Sequence, residues 1–368
     1  MNSPPATWLV LGDKPGDNRQ VEIITERLPW PVARKNVIPK PEWAFAKPRV
    51  RPTLEIFDAE RSDELAPPWP DLVLTIGRRP SSAALWIREQ NRGRTRIVLV
   101  GKPSGGIGPY DLVIASAEQY LPRLPNVMNI GLPLMRVEPA RIAAEAGQWA
   151  PGFEGLPRPW VAVLLGGPTG PFRFDERLVA RVLEAATDIG EGQGGTAFVV
   201  TSRRTPAAVV EALRARLPAG ARLFAWGDAA AGNPYAALLG LADAALVSGD
   251  SISMQTEVAR QGLPLGIIPL GTGVWGGLDR LRRRWLRRFS AGRLGGLANA
   301  LARLGLPMQI RDFEAFQDML VTRGIAARDT SRPPQPTGAA TDELDAVVAR
   351  IEALVAAPHC SKTDWAKS

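Results

Sequence analysis

The feature that most restricts this chain is an alternation running through both halves: a short apolar run, a glycine-rich turn, then a helical pattern. Such alternation marks βα units feeding a parallel sheet, because a strand covered on both faces reads as an unbroken apolar run and its parallel neighbour is reached through a helix. In the first half the strands are predicted at residues 7–12 (TWLVLG), 71–77 (DLVLTIG), 96–101 (RIVLVG), 111–116 (DLVIAS) and 126–134 (NVMNIGLPL). Helices are predicted near 17–28 and 81–90, with a proline-rich, tryptophan-containing stretch over 29–70. The second half restarts at 160–170 (WVAVLLGGPTG), with further strands at 196–202, 222–227, 243–249 and 263–270 and helices at 175–189, 206–217, 234–241 and 252–261.

At 368 residues the chain exceeds what one hydrophobic core fills, roughly 250–300 residues, so two cores are expected. The fold class is α/β, with two doubly wound Rossmann-like domains facing across a cleft. The first is placed at residues 1–150 and the second at 151–330, joined through 138–159, where helical and Pro/Gly character mix. Residues 331–368 hold an extended linker (SRPPQPTGAA, 331–340), an amphipathic helix at 341–355 and a tail. Open sheets bind ligands outside the carboxyl ends of their strands, so the site is expected between the domains. The arrangement fits a two-domain glycosyltransferase of the GT-B type, and equally periplasmic-type binding proteins and epimerases.

Composition narrows the chemistry. No apolar run approaches the roughly 18 residues a spanning helix needs, and the N-terminus lacks the basic segment of a secretory leader, so a cytoplasmic protein is expected. The single cysteine, Cys360, adjoins the single histidine, His359, in a polar tail, which leaves no disulfide framework, no Cys/His zinc cluster and no serine–histidine triad. Acid–base work therefore falls to Asp, Glu, Lys or Tyr, and neither a metal nor a cofactor is expected.

Three strand-end loops of the first domain, GDKPGDNRQ (12–20), GRRPSS (77–82) and GKPSGG (101–106), converge on one edge of a parallel sheet. Each carries cations: Lys14 and Arg19, Arg78 and Arg79, and Lys102. Convergent cations suit a phosphorylated or acidic ligand, although any single surface loop is often charged. Asp13 and Asp17 are the best-placed general bases, with Asp17 alternatively the N-cap of the first helix.

In the second domain, Ala242 to Leu270 (ADAALVSGDSISMQTEVARQGLPLGIIPL) reads as a strand, a small polar turn, a helix opening at Asp250 or Ser251, then Gly-x-Pro before another strand. A helix start of this kind suits a phosphate, and Glu257 lies within reach of a ribose beside it; the alternative is an ordinary capped helix with a solvated glutamate. LLGGPTGPF (164–172) places Gly166, Gly167 and Thr169 in a glycine-rich turn whose backbone amides could surround an anion, with Pro168 supplying no N–H.

The 242–270 segment resembles the nucleotide-sugar half of GT-B enzymes, particularly the lipid-intermediate glycosyltransferase of peptidoglycan synthesis. The resemblance implies that Glu257 binds ribose hydroxyls and that Ser248, Gly249, Asp250 and Ser251 meet the diphosphate, with Ser251 standing where those enzymes carry glycine. Taken together, GDKPGDNRQ, GRRPS and VSGDSISMQTEV resemble the plant "elongated mitochondria" fission-factor family and its bacterial relatives over most of residues 7–325. That resemblance implies a GT-B-like fold and admits either an enzyme or a membrane-surface recruiter of a partner protein.

The net charge of +8 is local: the run GGLDRLRRRWLRRFSAGR, ending at Arg293, holds seven arginines against Asp279, a +6 that leaves +2 elsewhere. On a helix, Leu278, Leu281, Trp285 and Phe289 share one face opposite Arg280, Arg283, Arg284 and Arg287. Arg283, Arg284, Trp285 and Arg287 then either meet an anionic membrane surface or belong to a helix packed on the second domain with its arginines solvated. No base-reading motif is present, so nucleic acid is not expected.

The resulting expectation is a glycosyltransferase at the cytoplasmic membrane face, using a nucleoside-diphosphate sugar as substrate and an anionic or lipid-linked acceptor. The alternatives are a non-catalytic membrane-associated adaptor and a nucleotide-sugar epimerase.

Overall fold

A computed structural model describes residues 3–44, 46–119, 121–229, 232–273, 276–277, 281–283, 285, 311–328, 338, 340 and 342–358. In chain order its elements are β1 (Thr7–Leu11), α1 (Pro15–Thr25), β2 (Val32–Asn36), β3 (Leu72–Ile76), α2 (Arg78–Gln90), β4 (Arg96–Val100), β5 (Leu112–Ser116), β6 (Val127–Ile130) and α3 (Pro139–Phe153). There follow β7 (Trp160–Leu165), α4 (Glu176–Thr187), β8 (Thr196–Thr201), α5 (Ala207–Arg216), β9 (Arg222–Phe224), α6 (Tyr235–Leu241), β10 (Ala244–Ser248), α7 (Ile252–Arg260) and β11 (Leu265–Ile268). The last are α8 (Phe313–Thr322), β12 (Ala326–Ala327) and α9 (Leu344–Ala356).

Two six-stranded sheets result, ordered β2-β1-β3-β4-β5-β6 and β12-β11-β10-β7-β8-β9, with every described pairing parallel. Both are doubly wound α/β sheets, as the alternation requires. The strand order reverses direction between β1 and β3 in the first sheet and between β7 and β10 in the second, and ligands of such sheets bind at these switch points.

Residues of β1 alternate between two cores: Trp8 and Val10 pack with Ala83, Ala84 and Ile87 of α2, whereas Leu9 and Leu11 pack with Val21 and Ile24 of α1. In the second sheet α4 and α5 cover one face with Leu178, Val182, Val209 and Leu213. The other face is aromatic, with Phe153 of α3 lying 4.6 Å from Phe198 and 5.8 Å from Trp160, ring centre to ring centre.

The described residues fall into two compact units, one drawn from Met1–Arg136 and Asp342–Ser368, the other from Val137–Trp285 and Asp312–Thr341. The boundary drawn at residue 150 falls inside α3, which packs on α6 closely enough that a side chain at Gly240 would meet Ile142. The terminal helix α9 packs on the first unit: Val347 and Ile351 enter its core, Arg27 pairs with Asp345 at 2.6 Å, and Glu343 accepts from the Gly131 amide at 2.6 Å. Of the expected linker, residues 331–337 and 339 lie outside the described residues.

Pro15 occupies the first turn of α1 and Lys14 its N-cap, so Asp17 is not the cap; it sits inside the first turn, where a carboxylate favours the positive end of the helix. Helix α2 begins three residues before the expected Ser81, directly after Gly77, whose φ of +88° a side chain rarely adopts. Among the described residues no helix is long and apolar enough to cross a membrane.

Candidate functional site

At the switch point of the first unit, the carboxyl ends of β1, β3 and β4 surround a cavity of about 430 Å³. Its wall carries Asp13, Lys14, Asp17, Arg78, Arg79 and Lys102, six of the seven first-domain residues singled out from the sequence. Arg19 is the exception: it is exposed and does not line the cavity, because one further residue turns it to the solvent side of α1 behind the buried Asn18.

Arg79 is 7% exposed and makes three hydrogen bonds to protein oxygens. It donates Nη2 to Asp13 Oδ1 at 2.7 Å and Nη1 to the carbonyls of Trp43, at 2.6 Å, and Ala44. The sequence suggested a phosphate ligand at this position; the geometry makes it a clasp holding a carboxylate and a wall segment in place. Arg78, half-buried, spends one nitrogen on the Pro48 carbonyl at 3.2 Å. Asn18 donates to the Gly12 carbonyl at 2.8 Å and so fixes the loop that presents Asp13.

Sequence reasoning missed Lys47, Ser104 and Gln119 on the same wall. Lys47 lies in an irregular segment that carries no strand or helix signal, and Gln119 follows β5 in a stretch, AEQ, that holds neither glycine nor cation. Its neighbour Glu118 is 5% exposed with no hydrogen-bond partner for Oε2 among the described residues, and burial pushes its carboxyl above the ordinary range, opposed by a bond from Ser116 and the charge of Arg311.

The switch point of the second unit is built differently. Its glycine turn follows β7 and faces the turn after β10. The Gly166 amide donates to Ser248 Oγ at 2.9 Å, the Gly167 amide donates to Asp250 Oδ2 at 2.9 Å, and Ser248 Oγ donates to Asp250 Oδ1 at 2.7 Å. Asp250 is 3% exposed, and burial raises its pKa against the pull of these bonds and of Arg204, whose Nη2 lies 3.9 Å away. A side chain on Gly166 would lie 2.3 Å from Asp250 Oδ2, so the glycine is required by the protein's own carboxylate.

The amides of Gly166 and Gly167 that the sequence offers to a diphosphate are thus given to side chains. Those of Gly249 and Ser251 go to the carbonyls of Ile268, at 3.0 Å, and Ser248, at 3.2 Å. Ser251 is the N-cap of α7 but makes no capping bond through its side chain. Thr169 accepts from Arg204 Nη1 at 2.9 Å. Glu257 accepts from the Tyr235 hydroxyl at 2.7 Å; burial raises its carboxyl pKa, while burial and the adjacent Glu257 raise the Tyr235 phenol. Ser202, Arg204 and Thr205 lie in the loop after β8, and the rule that selected the other strand-end loops would have found them.

The basic segment is described in part. Arg283 borders a small recess with Phe172 and Phe313, while Leu281 and Trp285 are 64% and 61% exposed. Arg284 and Arg287 lie outside the described residues. Among the described residues no group of three or more Asp, Glu, His or Cys is arranged to hold a metal ion.

Residues 15–289 match the protein family described as mitochondrial fission ELM1. The chain belongs to the mitochondrial fission ELM1 family. It is 24% identical over 221 residues to the mitochondrial fission protein ELM1 of Arabidopsis thaliana, a stretch that is 54% of this chain and 51% of that protein. It is also 24% identical over 229 residues to an uncharacterized protein of Rickettsia prowazekii, 54% of this chain and 64% of that one. The chain therefore spans between half and two thirds of the length of these two relatives. Among solved structures it is similar to a putative UDP-N-acetylglucosamine 2-epimerase of Listeria monocytogenes, at 14% identity and a TM-score of 0.46 over 95% of this chain and 96% of that one. The ELM1 match takes in Asp17 and both switch points from Arg78 onward, and Asp13 and Lys14 immediately precede it.

Proposed function

We propose that this chain is a glycosyltransferase that moves a sugar from a nucleoside-diphosphate sugar to the hydroxyl of an anionic or lipid-linked acceptor held in the first unit. The observation that carries the reading is Asp13: a carboxylate fixed by the buried Arg79 on the wall of a cationic cavity at a sheet's switch point. Transfer forms a bond from acceptor oxygen to the anomeric carbon and breaks the bond to phosphate, whose oxygen takes the electron pair. Asp13 receives the acceptor's proton, and Asp17 is the second carboxylate on the same wall. Donor binding falls to the second unit, to the turns at Gly166, Gly167 and Thr169 and at Ser248–Ser251, with Glu257 toward the ribose. Arg283, Arg284, Trp285 and Arg287 would draw the protein to an anionic membrane surface on its cytoplasmic side.

A specific observation favours a second reading, a non-catalytic adaptor that keeps the fold: the Gly166 and Gly167 amides are already occupied by Ser248 and Asp250. Thermal-shift titration with a panel of nucleoside diphosphates, followed by a sugar-transfer assay, separates the two. The transferase reading expects binding that Glu257→Ala weakens, and transfer that Asp13→Asn lowers by about a hundredfold or more while binding persists. Absence of binding by every nucleoside diphosphate overturns it in favour of the adaptor.

A further inference from the structure

We propose that Asp250 is a built-in competitor of the donor: its carboxylate occupies the seat of a phosphate group in the second unit, and a nucleoside diphosphate binds there by displacing it. The proposal rests on the reading of this turn as part of the donor site and adds what keeps that site closed.

Three donors from three separate segments meet at one point. The Gly167 amide, after β7, donates to Asp250 Oδ2 at 2.9 Å, and the Ser248 hydroxyl, at the end of β10, donates to Oδ1 at 2.7 Å. Nη2 of Arg204, in the loop after β8, lies 3.9 Å from Oδ2. A backbone amide, a hydroxyl and a guanidinium converging on two oxygens are groups that bind a phosphate, and two oxygens of one phosphate can take the places of Oδ1 and Oδ2. The strands β7 and β10 are neighbours where the sheet's order reverses, the place at which such sheets bind ligands. Glycine makes the room: a side chain on Gly166 would meet Asp250 Oδ2, and one on Gly167 would meet the backbone of Arg204.

The present occupant is held less well than its donors suggest. Burial raises the Asp250 pKa in spite of both hydrogen bonds and of Arg204, so the carboxylate loses more in hydration than these partners return. Arg204 is half exposed, gives Nη1 to the Thr169 hydroxyl at 2.9 Å and stands off from the carboxylate, so its charge is open to an anion arriving from solvent. A terminal phosphate brings about −1.5 to −2 to that guanidinium at neutral pH, where the carboxylate brings a single charge. With the carboxylate seated about 90% of the time or more, the apparent affinity for the donor falls about tenfold or more below that of the open site.

The test is calorimetric titration of the whole chain with uridine, guanosine and adenosine diphosphates, with cooperative thermal unfolding confirming that each variant is folded. Asp250→Ala empties the seat and should tighten binding of at least one nucleotide by about tenfold or more. Asp250→Asn keeps an acceptor for the Gly167 amide and removes the charge, so it preserves the turn and should tighten binding by about threefold or more. Arg204→Gln added to Asp250→Ala should abolish the gain. Glu211→Gln removes the same charge from the exposed side of α5 in the same unit and should leave binding unaltered. Binding no tighter in the folded Asp250 variants, an equal gain from Glu211→Gln, or a gain that survives Arg204→Gln would overturn the proposal. Tighter nucleotide binding without sugar transfer by any variant would overturn the proposed function and leave the competitor standing. Sugar transfer by the wild type with no gain in either Asp250 variant would do the reverse.

Discussion

Each unit places a carboxylate at the switch point of a parallel sheet, and the two carboxylates are held in opposite ways. Asp13 takes its bond from a buried guanidinium, keeps about a third of its side chain exposed, and looks onto a wall of cations. Asp250 takes its bonds from a backbone amide and a serine hydroxyl, is closed off from solvent, and fills the glycine turn beside it. The contrast teaches that a glycine-rich turn after a parallel strand is not by itself an anion site. What matters is whether its amides point at solvent or at the protein's own oxygen atoms, and in the second unit they are already satisfied.

The largest expected effect comes from breaking the clasp. Arg79→Ala removes donors from Asp13 and from the Trp43 and Ala44 carbonyls, and about 3 kcal/mol of stability should be lost in urea unfolding. Arg79→Lys should recover little of it, since an ammonium cannot span three acceptors set for a planar fork. If Arg79→Ala were neutral, the first carboxylate would not be built into its cavity.

Next in size is Gly166→Ala. Its methyl would fall on Asp250 Oδ2, at an expected cost of about 2 kcal/mol. Repeating the substitution in an Asp250→Ala background should recover about half of that cost, a coupling read from a double-mutant cycle. Independent effects would mean that the glycine answers to something other than the carboxylate.

The Asp250→Asn substitution tests the same point through pH. Because burial raises the folded-state pKa of Asp250, the neutral form is favoured on folding, so its contribution to stability is complete below the unfolded-state pKa and is lost as pH rises through the raised folded value. Wild-type stability should therefore increase on acidification from neutral pH toward that window, and Asp250→Asn should flatten this part of the profile. An unchanged slope would remove Asp250 from the account.

The smallest effect is expected for Glu118→Gln beside the first cavity. Replacing a buried carboxyl with an oxygen that has no partner among the described residues should raise stability by roughly 1 kcal/mol at neutral pH. The gain should shrink on acidification, where the wild-type carboxyl takes up its own proton.

How much of this was legible depended on where a residue sits in a sheet. The central strands β1, β3, β5, β7, β8 and β10 are buried at every position, and their apolar runs identify them at once. Of the four edge strands, β6 and β9 were legible and β2 and β12 were not. β2 reads VARKN, half-exposed and charged as an edge strand is when it must not pair with another chain, and β12 is two alanines. Helix α8 likewise went unread, although Asp312 caps it by accepting from the Ala315 amide at 3.0 Å. The cationic loops of the first unit were found because parallel strands bring all their carboxyl ends to one edge, a consequence of topology that needs no coordinates.

Sequence alone therefore determined that the chain forms two doubly wound parallel sheets and that charged loops gather at the carboxyl edge of the first. Periodicity and strand direction suffice for that, because burial on both faces writes itself into the order of residue types. Tertiary structure decided the partners: that Arg79 serves Asp13 across 66 residues, that Asp250 serves Gly167 across 83, and that α3 and α9 join the units they do. Those outcomes depend on distances and bond directions between segments remote in the chain, and no local pattern records which donor a carboxylate will meet.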